Sequence, residues 1–268
     1  MNQKRSSGDA EGGVPVSCFI IAKNEADRIG RTIQSVRDWV GEVVVIDGGS
    51  TDATMNVAEE LGAKVLFRAW DGYGTQKRYG EECCRFDWLL NLDSDEVITL
   101  NVRDNILALF AAGEPKLSAY RLSIAEVYPG REAPRSFCYT HRVVRLYDRR
   151  KVRYSTSPVY DRVLTGREAV GRVRGRVFHF SVRSLDDQRR KLDCYFRLYL
   201  KHEEVPAWRS ACRVPFEYPR TFLRYYVLRR HLMGGLFGLK LSHVQASARA
   251  RRTRWFLQKA ISKKRWVT

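Results

Sequence analysis

The chain has 268 residues, 44% apolar and 12% aromatic, enough to bury a core and to exclude an intrinsically disordered polypeptide. Its net charge of +18 is unevenly spread: residues 1–115 carry 12 basic and 19 acidic groups, residues 116–268 carry 36 and 11. So basic a half calls for an anionic partner, nucleic acid or anionic lipid. The six cysteines lack both zinc-type spacing and a disulfide framework, which argues for a reduced compartment and against a small secreted domain.

Residues 1–13 are polar and Gly-rich and read as a loose tail; no apolar stretch that would mark an export signal follows them. Residues 16–22 form an apolar, β-rich run, and residues 26–40 place Ile29, Ile33 and Val36 at helical spacing. A second strand covers 42–47. Gly48-Gly-Ser-Thr-Asp52 then opens a helix to about Leu61, with Ser50 or Thr51 as N-cap and Asp52 in the first turn. A strand at 63–67, a helix at 75–84 and a strand at 88–92 complete four strand and helix alternations, the pattern of a doubly wound, mostly parallel α/β sheet. Residues 119–124, 142–147 and 171–180 read as added strands, and helical patterns dominate from Leu185 onward.

In such a sheet, ligands sit beyond the carboxyl ends of the strands. Those ends carry Asn24 and Glu25, Asp47, Arg68, and the acidic turn Asp93-Ser94-Asp95. Residues i and i+2 of an extended segment point the same way, so Asp93 and Asp95 can converge on a hard divalent ion while Ser94 faces away. One acid at a strand end is commonly a helix cap. Four polar strand ends on one rim point to a nucleoside-diphosphate site.

The segments IIAKNEADRI, VVVIDGGSTDAT, GAKVLFRAWDGYGTQKRYG, WLLNLDSDEVIT, VVRLYDRRKVRYSTSPVYDRV and GRVFHFSVRSLDD together resemble bacterial glycosyltransferase family 2, in particular its lipopolysaccharide core β-1,4-glucosyltransferase-like branch. The resemblance implies a GT-A fold, a nucleotide-sugar donor (usually UDP-linked), Mg²⁺ or Mn²⁺ as cofactor, and inversion at the anomeric carbon. Carried over by residue, it puts Asn24, Glu25, Asp47, Arg68, Gln76, Lys77, Asp93 and His179 at the substrates, and Asp95 with Asp93 at the metal. Asp47 also fits a turn acid, Lys77 an exposed helix residue, and His179 a core group.

An inverting transfer needs one base near the acceptor hydroxyl. Asp161 in PVYDRV matches a position where relatives carry an acid, with Tyr160 in place of their usual His; Asp148, Asp186 and Asp187 are rivals. His141 and Arg142 lie nearby without a firm role, and Arg145 and Arg149 are read as steering an anionic acceptor.

From Gln188 onward, 20 Lys and Arg face 4 Asp and Glu and are interleaved with aromatic residues. That composition suits peripheral attachment to an anionic membrane surface. The expected layout is a tail (1–13), a GT-A catalytic domain (14–184) and a basic helical, membrane-proximal extension (185–268). The protein is expected in the cytoplasm against the inner face of the membrane, moving a hexose to a lipopolysaccharide-core or other lipid-linked saccharide, with no nucleic acid as partner. A nucleic-acid-binding protein and a sugar nucleotidyltransferase are the alternatives.

Overall fold

The computed structural model describes residues 13–157, 161–202 and 205–265. The expected tail, save Gly13, and Tyr160 lie outside the described residues.

The first part of the chain runs β1 (Val14–Ala22), α1 (Ile29–Gln34), β2 (Val40–Asp47), α2 (Thr54–Glu60), β3 (Lys64–Phe67), α3 (Tyr73–Cys83) and β4 (Trp88–Asp93). β1 pairs in parallel with both β2 and β4, and β2 in parallel with β3. The central position of β1 explains its unbroken apolar run, because a strand covered on both faces cannot alternate with polar residues. Cys18 and Ile20 enter one core with Ile29, Ile33 and Leu90, while Phe19 and Ile21 enter the other with Val44, Ile46 and Leu89. Ser17 is the polar exception: its hydroxyl bonds Glu42 and accepts the Phe86 N–H at 2.9 Å. α3 closes on the second core through Gly80, where a Cβ would lie 2.7 Å from the Phe19 ring, so glycine is what lets the helix approach.

Beyond β4 come β5 (Glu96–Val97), α4 (Leu100–Phe110), β6 (Ala119–Glu126), β7 (Thr140–Asp148), β8 (Arg153–Tyr154), β9 (Val163–Leu164), β10 (Val170–Arg172) and β11 (Val177–His179). β7 lies antiparallel to β4 with Asp148 opposite Trp88, and β11 antiparallel to β5 with His179 opposite Glu96. Among the described residues the sheet order is β3-β2-β1-β4-β7-β6-β11-β5, with β10 beside β6 and β8-β9 as a separate pair. This mostly parallel sheet with flanking helices is the α/β GT-A architecture expected from the sequence.

Two helices are shorter than their periodicity suggests. α1 stops at Gln34, and the chain continues in turns where the Trp39 indole donates to the Ser35 carbonyl at 2.8 Å. α2 begins at Thr54, so neither Ser50 nor Thr51 caps it. The N-cap position is Ala53; Asp52 just before it accepts the Thr54 N–H at 3.0 Å and the Thr54 hydroxyl, while Ser50 is drawn to Asp47.

The chain divides into two compact units: residues up to Ile124 with His141–His179, and Ala125–Thr140 with everything from Phe180. The second unit is helical, with α5 (Leu185–His202), α6 (Ala207–Leu223) and α7 (Gly235–Arg265); a π turn at Arg224–Leu228 and a 3-10 turn at His231–Gly234 join the last two. Among the described residues no helix is long and apolar enough to cross a membrane.

Candidate functional site

The rim starts where β1 and β2 end. Asn24 adopts the left-handed conformation (φ 57°), which asparagine tolerates better than most residues. Its Oδ1 accepts the Thr51 N–H at 2.8 Å and its own N–H donates to Ser50 Oγ at 2.9 Å. Asp47 is fully buried and holds the neighbouring turn, accepting the N–H groups of Gly49 and Ser50 at 2.8 and 2.9 Å and the Ser50 hydroxyl at 2.5 Å. Glu25 binds Arg28, so the first two polar strand ends are tied into one loop system.

Arg68 follows β3 and is fixed by the Thr75 carbonyl and Asp71, both at 2.8 Å. Gln76 donates to the Arg68 carbonyl at 3.1 Å; its buried Oε1 finds no donor among the described residues.

Lys77 is the hub. It is fully buried on α3, which rules out an exposed helix residue, and its Nζ lies 2.8 Å from Asp93 Oδ1 and 2.9 Å from Asp161 Oδ2. Burial opposes its charge, but Asp161 and then Asp93 outweigh burial and raise its pKa. One ammonium thus gathers the last residue of β4 and a carboxylate 68 positions later in the chain, counting from Asp93 to Asp161. The other oxygen of Asp93 meets Arg145 at 2.7 Å; burial works against the Asp93 charge, but Arg145 and Lys77 hold its carboxyl well below the usual range.

Arg145 is itself buried and also binds Glu96 at 2.6 Å and Asn91 Oδ1 at 2.7 Å; Tyr154 donates to that same Asn91 oxygen at 2.7 Å. Arg145 therefore does not steer an acceptor from the surface, because its guanidinium is consumed in ordering the acids. Arg149 does not steer one either: it binds Asp87 at 3.0 Å and the carbonyls of Glu81 and Cys84 at 2.7 and 2.9 Å.

Asp95, buried in the turn after β4, meets His179 Nε2 at 3.1 Å and Arg28 Nη1 at 3.3 Å. β11 delivers His179 to this point by pairing with β5. Burial works against an imidazolium, yet Asp95 outweighs it and pushes the His179 pKa up to about 9. His179 is thus a partner of the acidic turn rather than a core group.

Among the described residues no three His, Cys, Asp or Glu side chains converge as a complete metal centre. A hard ion bridging a diphosphate needs only one or two protein groups, since phosphate oxygens and water complete its shell. Asp95 and His179 fit that role: a carboxylate oxygen and a ring nitrogen sit side by side, the nitrogen able to ligate once its proton leaves. Asp93 fits it less well, because both its oxygens already face cations.

Asp148 clasps Arg150 with both oxygens and lies opposite Trp88, at the entry end of β4 and away from Asp93, so it drops out as a base. Asp186 and Asp187 occupy the first turn of α5 and pair with Arg189 and Arg190 at 2.5 and 3.8 Å. The spacing of motifs did not reveal Arg28, Asn91, Glu96 or Tyr154 as parts of the site, and it gave Arg145 a different role. The one local signal was the three-residue offset of Arg28 from Glu25.

Residues 17–167 match the family model for glycosyl transferase family 2. An uncharacterized glycosyltransferase of Rickettsia typhi is 32% identical over 87% of this chain and 84% of its own. The lipopolysaccharide core biosynthesis glycosyltransferase LpsC of Rhizobium meliloti is 28% identical over 80% of this chain and 81% of its own. Among solved structures, a glucosyl-3-phosphoglycerate synthase of Mycobacterium tuberculosis in complex with Mn²⁺, UDP and glucosyl-3-phosphoglycerate aligns with a TM-score of 0.34 at 23% identity, over 48% of this chain and 51% of that one. With a family model covering more than half its length and relatives matched almost end to end, the chain belongs to glycosyltransferase family 2.

Proposed function

We propose that this glycosyltransferase moves a hexosyl group from a nucleoside-diphosphate donor, UDP-linked, to a lipid-linked saccharide of the lipopolysaccharide-core type, with inversion. The observation that carries the reading is the Lys77 junction, where one buried ammonium holds Asp93 and Asp161 together beside the turn bearing Asp95, against which β11 sets His179. The 28% identity to LpsC supports the acceptor class.

In the proposed reaction the acceptor hydroxyl oxygen attacks the anomeric carbon, the bond from that carbon to the diphosphate oxygen breaks, and the hydroxyl proton passes to the Asp161 carboxylate. Lys77 orients Asp161, and Arg145 orients Asp93 toward the donor ribose or sugar. Asp47, Asn24 and Glu25 border the nucleoside, and Arg68 with Gln76 the donor side. Asp95, with His179 beside it and Asp93 nearby, would hold Mg²⁺ or Mn²⁺, which when bound neutralises charge growing on the departing diphosphate.

Residues 14–184 are proposed as the catalytic domain and 185–268 as a basic extension resting on an anionic membrane from the cytoplasmic side. Trp208, Phe216, Leu223, Leu228, Met233 and Leu236 are large apolar residues left exposed in the helical unit, interspersed with arginines. Such a surface suits the headgroup region of anionic lipid better than water. Sedimentation with anionic vesicles, reversed by high salt, is the expected outcome; indifference to lipid charge removes this part of the reading.

The test of the chemistry is Asp161→Asn. It should keep UDP-sugar binding, read as a thermal shift that requires Mn²⁺, and lose transfer by about 10²–10⁴-fold. Full activity in the variant rules out Asp161 as the base, and release of pyrophosphate instead of UDP makes the protein a nucleotidyltransferase.

A further inference from the structure

The helical unit encloses a cavity of about 240 Å³ that the proposed reaction does not use. Four arginines are among the residues that line it: Arg220 from α6, Arg224 from the π turn, Arg229 just after it, and Arg249 from α7. One carboxylate adjoins them. Glu217, almost fully buried on α6, binds Arg249 at 3.2 Å, Arg220 at 3.4 Å and Arg213 at 2.9 Å, so its single negative charge is already divided among three cations. Among the described residues no carboxylate pairs with Arg224 or Arg229; the contacts of Arg229 are the ring faces of Tyr225 and Tyr139, at 4.4 and 5.2 Å. Nearby Arg252 stacks on Phe196 and Tyr199 instead of an acid, and burial together with Arg249 pulls its pKa down to about 10. The region carries positive charge that its own residues leave unanswered.

The remaining lining completes a recognisable chemistry. Thr221, Tyr225 and Gln245 bring hydroxyl and amide donors, and Leu192 and Phe196 an apolar wall. Guanidinium groups with added hydroxyl donors match the tetrahedral oxygens of phosphate, which accept several charge-assisted bonds at once. The volume lies below the roughly 300–1,000 Å³ of drug-sized sites, so it suits a headgroup rather than a whole nucleotide sugar.

We propose that this arginine-lined cavity binds a phosphate or diphosphate ester. Its source is either a phosphorylated lipid headgroup or a soluble phosphate; the lipid source rests on the membrane-facing reading above, the anion chemistry does not.

Titration calorimetry of the full chain, metal-free and at low salt, with inorganic pyrophosphate and with dioctanoyl phosphatidic acid tests the proposal. The expected result is binding of at least one probe, weakened about tenfold or more in Arg224→Gln and in Arg229→Gln, as loss of one charge-assisted bond requires, and weakened by high salt. Arg224→Lys should recover part of the affinity. Tighter binding of phosphatidic acid assigns a lipid headgroup, and tighter binding of pyrophosphate a soluble ester. Affinities equal in wild type and in the Arg224→Gln/Arg229→Gln variant, or no binding of either probe by wild type, overturn the proposal. The Mn²⁺-dependent UDP-sugar thermal shift, read on the same samples, reports folding of the variants. Its loss in wild type would sink the donor reading while leaving the cavity result intact.

Discussion

In the sheet unit the buried cations are matched by acids: Lys77 by Asp93 and Asp161, Arg145 by Asp93 and Glu96, His179 by Asp95. In the helical unit one carboxylate, Glu217, serves Arg213, Arg220 and Arg249, while Arg252 and Arg229 turn to aromatic faces. The difference is one of purpose. A matched network holds each side chain to one geometry, which suits groups that must be in place before a substrate arrives. An unmatched set keeps its potential for an outside anion. His179 and His231 repeat the contrast: neighbouring acid favours the charge on His179, whereas burial and then Arg135 and Arg229 disfavour it on His231.

Removing the hub should have the largest effect. Lys77→Met leaves Asp93 with Arg145 but detaches Asp161, so transfer should fall about 10²–10³-fold and stability by about 3 kcal/mol, the low end for a broken buried pair. Turnover assays and urea denaturation check it; wild-type activity would mean the matching is only structural. Asp95→Asn comes next, with transfer reduced roughly 100-fold and stability lowered by about 1–3 kcal/mol, because His179 and Arg28 lose their buried acid. In the helical unit, Glu217→Gln should cost about 1–3 kcal/mol in denaturation experiments by removing the one acid its three arginines share, without altering UDP-sugar binding.

The pH dependence has opposite signs in the two units. The His179 pKa is raised from 6.5 to about 9, so its contribution to stability is complete below pH 6.5 and is lost as pH rises through 9. The His231 pKa is lowered to about 4, so its contribution is complete above 6.5 and is lost as pH falls toward 4. Ring-resonance titrations by NMR should give those two midpoints; coincident midpoints near 6.5 would erase the contrast.

The sheet was legible because β1 and β2 are nearly continuous apolar runs of strand length, each followed by a turn rich in Gly, Asn or Asp. The strand-end acids were legible for the same reason, as a strand's last residues project from its carboxyl edge. The helix starts were not: Ser50 looks like an N-cap in one dimension, but in three it is claimed by Asp47 and Asn24. Arg145 reads from the sequence only as a group that steers an anionic acceptor. Only the pairing of β7 with β4 turns it toward Asn91 and Asp93. Contacts between residues far apart in the chain, such as Lys77 with Asp161, leave no periodic trace.

His179 stands opposite Glu96 on a ladder of two rungs, Phe178 with Val97 and His179 with Glu96. Because side chains of a strand alternate between faces, a slip of a single rung would send the imidazole to the wrong side of the sheet. The spacing from Asp95 to Val97 and from Phe178 to His179 therefore admits no insertion.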